Sequence, residues 1–157
     1  MSRVRTVDPV TVGWRAIRVG VASGHAGQDD LEDVEVDCGR RCHRVHHPGS
    51  ETELQLFEVQ MPPDDVIPVH AHEADEIIVV VDGYLTLGAR KLEAGCSIMI
   101  PGWTLYGIKA GPAGARFMNF RSHKDLTFMT KEQFVERRAR RGLPEKGPNE
   151  PDLRTMG

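Results

Sequence analysis

The sequence predicts an all-β fold, either a closed barrel or a sandwich, built as one domain. Short apolar or alternating segments recur every eight to twelve residues or so between residues 55 and 121, and turn signals separate them. The chain has 16 glycines and 10 prolines among its 157 residues, which indicates many turns. This length suits a single ordinary domain and is short for two.

The strands are predicted from β-branched and alternating segments and from the breaks between them. Residues 76–82 are apolar on both faces, which predicts a strand that is buried on both sides. The Asp82-Gly83 pair predicts a hairpin turn because it tolerates positive φ angles, and residues 111–114 (GPAG) predict another turn. The predicted strands are residues 55–61, 66–72, 76–82, 84–87, 96–100, 105–110 and 115–121.

One helix is predicted near the C-terminus. Thr130 and Gln133 have the spacing of a capping box, and Gly142 provides a stop signal after the basic last turn. Phe134 and Val135 are expected to anchor this helix on the barrel. The predicted divisions are an irregular N-terminal arm at 1–50, a barrel core at 51–124, a helix region at 125–142 and a loose tail at 143–157.

The composition argues against several classes of partner. A formal net charge of −3 gives no field that would draw the chain to nucleic acid or to an anionic membrane, so a small molecule is the expected partner. The most apolar run is residues 77–81, far shorter than a membrane span. The three cysteines form an odd set that the domain does not need as disulfides, which favours a reducing cytoplasm.

A cluster of metal-binding residue types lies in the middle of the β pattern. His70 and His72 are two apart on a predicted strand, so their imidazoles project from the same face. Glu76 begins the next strand after a short turn and is expected to reach the same point. Two neutral nitrogens and one carboxylate suit a divalent ion such as Fe²⁺, Mn²⁺, Ni²⁺, Co²⁺ or Zn²⁺.

The segment HAHEADEIIVVVDG resembles the first sequence motif of the cupins, H-x-H-x3-E-x6-G, at every defined position. The matching residues are His70, His72, Glu76 and Gly83, and the resemblance covers roughly residues 53–122. It implies a cupin barrel, a double-stranded β-helix, with a divalent metal held by the first three of these residues. It also implies a homodimer that pairs through strands of the N-terminal arm.

The second cupin motif, G-x5-P-x-G-x2-H-x3-N, is only partly present. Gly95 and Pro101 match it, whereas Trp103 stands where glycine is usual, Tyr106 where a third metal-binding histidine is usual, and Ala110 where asparagine is usual. The tyrosine is therefore expected in the cavity at the remaining ligand position.

Three uses of Tyr106 are compatible with the sequence. Its phenol either binds the metal as a phenolate, or stays unbound and serves as an acid or base toward substrate, or simply packs in the barrel mouth. The second use is favoured, because a site with three protein ligands leaves room for substrate.

Four further polar residues are candidates for contact with substrate. Asn119 and Arg121 alternate on one strand face, and Glu58 and Gln60 are expected on the opposite wall. The alternative for Arg121 is a rim residue with a solvated head, and the alternative for Glu58 and Gln60 is a solvent-exposed strand face.

The segment CGRRCHRVHH contains several soft metal-binding residues: Cys38, Cys42, His43, His46 and His47. Its C-x3-C-H spacing is not a common zinc pattern, and an ordinary surface segment is the favoured interpretation. One of these histidines could instead lean over the barrel mouth and complete the metal shell.

Three functions agree with these observations. The first is a lyase, isomerase or cyclase in which a metal polarises an oxygenated substrate and Tyr106 moves a proton, and the second is an iron-dependent dioxygenase. The third is a ligand-binding or sensory protein without catalysis. The tyrosine in place of histidine favours proton chemistry, because it exchanges a nitrogen ligand for an acid–base group.

Overall fold

The structure of the chain is a computed structural model that describes residues 5–6, 12–19, 28–36 and 38–142. The predicted tail at 143–157 and much of the predicted N-terminal arm lie outside these ranges. Within them the chain forms ten β-strands, a short 3-10 turn at Gln28–Asp30 and one α-helix. The strands are β1 Trp14–Ile17, β2 Leu31–Val34, β3 Cys42–His47, β4 Gln55–Met61, β5 Val66–Ala71, β6 Glu76–Leu87, β7 Arg90–Glu93, β8 Ser97–Ile100, β9 Tyr106–Arg121 and β10 Met129–Thr130, and the helix is α1 Lys131–Arg140.

The strands form a curled antiparallel sheet in which β6 and β9 are shared between two sets of neighbours. The first half of β6 pairs with β8 and with the second half of β9, which also pairs with β4. The second half of β6 pairs with β7 and with the first half of β9, which also pairs with β5. The sheet therefore folds over on itself and encloses a core, as an all-β barrel prediction requires.

Glycines allow β6 and β9 to change direction without ending. Gly83 has φ +67° and Gly114 has φ +80°, and the pairing of the two strands shifts register on both sides of Gly83. A Cβ on Gly83 would clash with the carbonyl oxygen of Gly114, so the two backbones approach too closely for any other residue. The turns predicted at Asp82-Gly83 and at residues 111–114 are therefore bends within continuous strands.

The core occupies part of the space between the two halves of the curled sheet. Ile78 and Val80 on β6 are fully buried, whereas Ile77 and Val81 are 44% and 42% exposed. The strand predicted to be buried on both sides thus has one inward and one outward face. The main core cluster also contains Val59, Met61, Leu85, Leu87, Ile100, Tyr106, Ile108, Ala110, Ala115 and Phe117.

The helix α1 caps a second, smaller core at one end of the barrel. Its predicted capping box is present, because the Thr130 hydroxyl accepts from the Gln133 amide and the Gln133 side chain accepts from the Thr130 amide. Phe134 packs on Ala71, Leu105 and Met129, whereas Val135, the other expected anchor, is exposed. The helix therefore braces the end of β5 that carries the two histidines.

No helix in the described part of the chain has the length and apolar character needed to cross a membrane. The cysteines at positions 38, 42 and 96 all lie in the described residues, and none of them forms a disulfide.

Candidate functional site

A cavity of about 900 Å³ opens between the two halves of the sheet. Five of the predicted site residues line it directly: His70, His72, Tyr106, Asn119 and, at the end of β9, Arg121. Glu76 lies directly behind them and is 2% exposed. The volume is within the range of pockets that hold small organic ligands.

The two histidines point into the cavity from the end of β5, and their rings lie 4.8 Å apart between centroids. Nδ1 of His70 lies 2.7 Å from the carbonyl oxygen of Pro68, and Nδ1 of His72 contacts the carbonyl oxygen of Thr127. Because a carbonyl only accepts, each Nδ1 carries the proton and each Nε2 has a free lone pair. Both imidazoles therefore present a Lewis-basic nitrogen to the site.

Burial keeps both imidazoles neutral. It lowers the pKa of His70 to about 4, and the neighbouring His72 ring adds to the effect. It lowers the pKa of His72 to about 4 as well, with Arg121 contributing in the same direction. Both rings are thus uncharged acceptors at neutral pH.

Glu76 is held by hydrogen bonds to both carboxylate oxygens. The Tyr106 hydroxyl donates to Oε1, and the Asn119 amide donates to Oε2 over 2.8 Å. Burial raises the pKa of the Tyr106 phenol well above its ordinary value, and the Glu76 carboxylate raises it further. Tyr106 is therefore a protonated hydrogen-bond donor in this arrangement.

Arg121 places a positive charge within the same cluster. Its Nη2 lies 3.1 Å from Nε2 of His72, and its Nη1 donates to the carbonyl oxygen of Asp125 over 2.5 Å. Its Nε lies 3.5 Å from Oε2 of Glu76, and its guanidinium lies 4.9 Å from the centroid of the Phe57 ring. The side chain is only 8% exposed, so this charge is almost fully removed from water.

The loop at 122–128 completes the site and was not anticipated from the sequence. Asp125 accepts hydrogen bonds from the Ala74 amide and from the amide and hydroxyl of Thr127. Phe128 stacks on His70 with 4.3 Å between centroids. The spacing D-x-T is a signal for an Asx-type turn and could have identified the local fold of this loop, though not its position against residue 74.

Two predicted contacts lie elsewhere. Glu58 and Gln60 face away from the cavity, whose wall on β4 consists of the alternate residues Gln55, Phe57 and Val59. The Glu58 carboxylate instead pairs with side chains on the neighbouring strands, Arg44, His46 and Arg116. The strand register, which the sequence pattern left open, decides this difference.

The possible second zinc site does not assemble among the described residues. His43 lines the cavity, whereas His46 contacts Glu58 on the outer face. Burial lowers the pKa of His43, and nearby Arg15 lowers it further. The strand β3 thus separates the histidines of this segment between two faces.

The arrangement does not fit the divalent metal that the first-motif resemblance implies. The two imidazoles offer suitable nitrogens, but Nε2 of His72 already accepts from Arg121, and both oxygens of Glu76 accept from neutral donors. Across residues 5–6, 12–19, 28–36 and 38–142, no three His, Cys, Asp or Glu side chains are arranged to hold an ion. In this geometry the positive group beside the histidines is the Arg121 guanidinium.

No protein-family model matches the sequence, and no curated protein matches it. Among solved structures, the polyketide cyclase RemF from Streptomyces resistomycificus matches with a TM-score of 0.51 and 20% identity, over 76% of this chain and 93% of that one. An RmlC-like cupin from Shewanella frigidimarina matches with a TM-score of 0.47 and 21% identity, over 70% and 94%.

The complex of Rhodobacter sphaeroides SigE with the anti-sigma ChrR matches with a TM-score of 0.47 and 15% identity. This chain spans 44% of the length of that one, and 52% of this chain is covered. Likeness at such identities concerns the fold and not the reaction. The curled antiparallel sheet, the cavity between its halves and the similarity to RemF together give the chain the cupin fold.

Proposed function

We propose that this protein is an enzyme that binds a small oxygenated organic molecule in the cavity and moves a proton on it. The reaction class is that of a lyase, isomerase or cyclase. The hydrogen-bonded pair of Tyr106 and Glu76 is the observation that carries the proposal, because a phenol lining the cavity is backed by a buried carboxylate. Such a pair is suited to relay a proton between substrate and protein.

The relay follows from the orientation of the hydroxyl group. The Tyr106 oxygen is free to accept a proton from a substrate C–H or O–H group while its own proton passes to Glu76. The substrate then carries the negative charge, and Glu76 is neutral. Return of the proton to another substrate atom completes an isomerisation, whereas loss of a leaving group completes an elimination. The phenol never has to exist as a free phenolate, which its raised pKa disfavours.

Arg121 and Asn119 support this chemistry from the adjacent wall. A developing negative charge on the substrate lies beside a guanidinium that water reaches poorly, and a buried charge interacts more strongly than an exposed one. The Asn119 amide holds Glu76 in place from the side opposite Tyr106. The two residues thus favour the charged state that the relay creates.

The divalent metal predicted from the sequence is not needed for this relay and stays a prediction, as do the homodimer and the cytoplasmic location. Metal analysis of the purified protein tests the first of these. Activity that requires both iron and dioxygen would support the dioxygenase alternative instead. Activity that survives a chelator and the removal of oxygen would support proton chemistry.

The test uses Tyr106→Phe, which removes only the hydroxyl group. The protein is incubated in D₂O, without oxygen and with EDTA, with a panel of hydroxy and oxo carboxylic acids and their lactones. Proton NMR follows loss of C–H signals and formation of product. For a compound that the wild type converts, we expect Tyr106→Phe to lower the rate by about 10²- to 10⁴-fold, because it removes the proton-transfer group.

Tyr84→Phe is the matched control. Tyr84 is the other tyrosine of the chain and lies on the second half of β6, outside the cavity lining. Its ring packs against the Lys91 ammonium group on β7. This variant should keep the wild-type rate. A Tyr106→Phe rate equal to that of Tyr84→Phe would contradict the proposed relay.

A further inference from the structure

Three buried polar atoms on residues of the cavity lining make no hydrogen bond, and one of them is Nε of Arg15. The other two lie beside Glu76: Oδ1 of Asn119 and Nε of Arg121, on residues that are 4% and 8% exposed. A buried polar group without a partner costs free energy that a bound ligand can recover. One group is an acceptor and the other a cationic donor, so they define the ligand chemistry that would satisfy them.

The orientation of Asn119 is fixed by its neighbour. Its Nδ2 donates to Oε2 of Glu76 over 2.8 Å, and the reverse orientation would place two acceptors together. Oδ1 is therefore the free end of the amide. A ligand hydroxyl is the simplest group that could donate to it.

Nε of Arg121 has charged neighbours but no hydrogen-bond acceptor. The guanidinium cannot lose its proton, and Nε lies 3.5 Å from Oε2 of Glu76, which accepts a hydrogen bond from Asn119 instead. The Asp125 carboxylate interacts with Arg121 electrostatically, but its oxygens accept from amides and a hydroxyl, and only its backbone carbonyl accepts from Arg121. A ligand carboxylate would supply the missing acceptor in a charge-assisted hydrogen bond.

The rest of the cavity favours a ligand with an apolar body. Its charged lining residues are the cations Arg15, Arg41, Arg121 and Lys124 and the anions Asp33 and Asp125. Arg15 pairs with Asp33, and Arg41 pairs with Asp65 outside the lining. Its walls are mostly aliphatic and aromatic, namely Phe57, Val59, Ile67, Ile108, Phe117 and Phe128. An uncharged polar molecule or a small inorganic anion would leave these walls uncovered.

We propose that the cavity binds an amphipathic hydroxy acid, with its carboxylate on Arg121 and its hydroxyl on Asn119, and that Arg121 serves as the cation of the site in place of a metal. The assignment gives a substrate class to the proposed function and rests on it. The substrate carbon beside the carboxyl and hydroxyl groups would then face Tyr106, which lines the same cavity and, like Asn119, donates to Glu76.

Arg121 and a divalent ion would compete for the same position. Nε2 of His72 is the nitrogen that a metal would take, and it already accepts from the guanidinium over 3.1 Å. Two cations at such a separation repel strongly in a poorly hydrated site. Removal of the guanidinium should therefore favour metal binding.

The first test measures ligand binding by calorimetry in the presence of EDTA. The probes are 3-phenyllactate, its uncharged amide, and 3-phenylpropionate, which lacks the hydroxyl. We expect 3-phenyllactate to bind at least tenfold more tightly than the amide, and more tightly than 3-phenylpropionate. Arg121→Gln should abolish the preference for the acid, whereas Arg90→Gln, which removes an exposed arginine on β7, should retain it. Equal binding of acid and amide, or no saturable binding of any probe, would overturn the proposal.

The second test titrates Mn²⁺ into the protein and follows the free aquo ion by electron paramagnetic resonance. Wild type should bind the ion weakly, and Arg121→Gln should bind it at least tenfold more tightly. Tight stoichiometric binding to wild type that Arg121→Gln does not improve would contradict the role of Arg121. Neither test measures turnover, so a failed relay in Tyr106→Phe is distinguished from a failed ligand assignment.

Discussion

Asp125 is a buried carboxylate that positions the loop behind the site. Its oxygens accept from the amides of Ala74 and Thr127 over 2.7 Å, and the loop in turn supplies the carbonyl groups that fix His72 and Arg121. Hydrogen bonds to a charged group contribute more than neutral ones. By holding the loop in place, the Asp125 carboxylate orients His72 and Arg121, although its own oxygens bond to neither of them.

Asp125→Asn should lower the free energy of unfolding by about 2 kcal/mol, because an amide NH₂ replaces an acceptor that faces N–H donors. Chemical denaturation measures this loss, and hydrogen exchange should accelerate in residues 122–128. Asp82→Asn, at an exposed position on β6, should change stability by less than about 0.5 kcal/mol. Equal effects of the two substitutions would argue against the positioning role.

The sequence indicated which residues line the site more readily than it indicated their hydrogen-bond partners. His70, His72, Glu76 and Tyr106 were identifiable because the cupin motif specifies them by spacing along the chain. The hydrogen bond between Asp125 and Ala74 joins residues 51 apart, and no local pattern reports such a contact. The insertion of Arg121 beside His72 likewise depends on tertiary packing.

Trp103 shows how a departure from the motif is accommodated. It stands where the second cupin motif has glycine, and its φ of +60° lies in the left-handed region that favours glycine. Its amide donates to the carbonyl of His72 over 2.7 Å, and its ring packs near Phe134 and Arg141. Packing against α1 offsets the strain of this backbone conformation, which a bulky residue rarely adopts.

At the level of secondary structure, the central elements are the two long strands β6 and β9. The sequence predicted each as two short strands joined by a turn, because Asp-Gly and Gly-Pro-Ala-Gly are turn signals. Glycine with positive φ occurs both in turns and at bulges within a strand. Only the pairing of Gly83 with Ala115 shows that this position is a bulge and not a turn. The strand positions were thus predicted, but their continuity was not.

Gly83→Ala should destabilise the protein by about 2 to 4 kcal/mol, since the substitution adds a backbone clash to the cost of positive φ. Gly39→Ala is the matched control, because Gly39 has φ +74° and a Cβ there would meet nothing within 4 Å. It should cost only about 1 kcal/mol. Thermal and urea unfolding of both variants measure the difference, and similar losses would show that the contact with Gly114 is unimportant.

For the molecule as a whole, periodicity and turn spacing predicted an all-β barrel or sandwich, capping signals predicted one C-terminal helix, and the resemblance to the first cupin motif implied the barrel. Hydrophobic periodicity shows which side chains face a core, and every strand of the sheet has to place apolar side chains on that face. The expected substrate contact of Glu58 was not found, because the face on which it lies is buried by other polar groups. Inward and outward faces are hard to distinguish when both exclude water.

The stability of the whole barrel should depend on pH through Glu58. Although burial raises the pKa of this carboxyl, hydrogen bonds from Arg44 and His46 hold it below its ordinary value of 4.5. A depressed folded-state pKa stabilises the protein above the unfolded-state value, and the contribution is lost as pH falls through the folded-state value. Glu58 thereby connects β3, β4 and β9 most strongly near neutral pH.

Glu58→Gln should be less stable than wild type at pH 7, and the gap should narrow below about pH 4.5, where the wild-type carboxyl gains a proton. Urea unfolding at pH 7, 5 and 3.5 measures the gap. Glu93→Gln, on exposed β7, should show a far smaller change at every pH. A gap for Glu58→Gln that stays constant with pH would contradict this account.

Because β6 and β9 cross from one half of the sheet to the other, residues 111–114 resemble a surface loop in sequence yet lie inside a ladder. New chain termini introduced there by circular permutation would divide the strand that carries Tyr106 at one end and Arg121 at the other. The turn at Gly88 and Ala89 lies between strands instead, and opening it would leave that strand whole. Circular permutation should therefore be tolerated better at Gly88 and Ala89, between two strands, than at residues 111–114, within one strand, although both segments contain glycine.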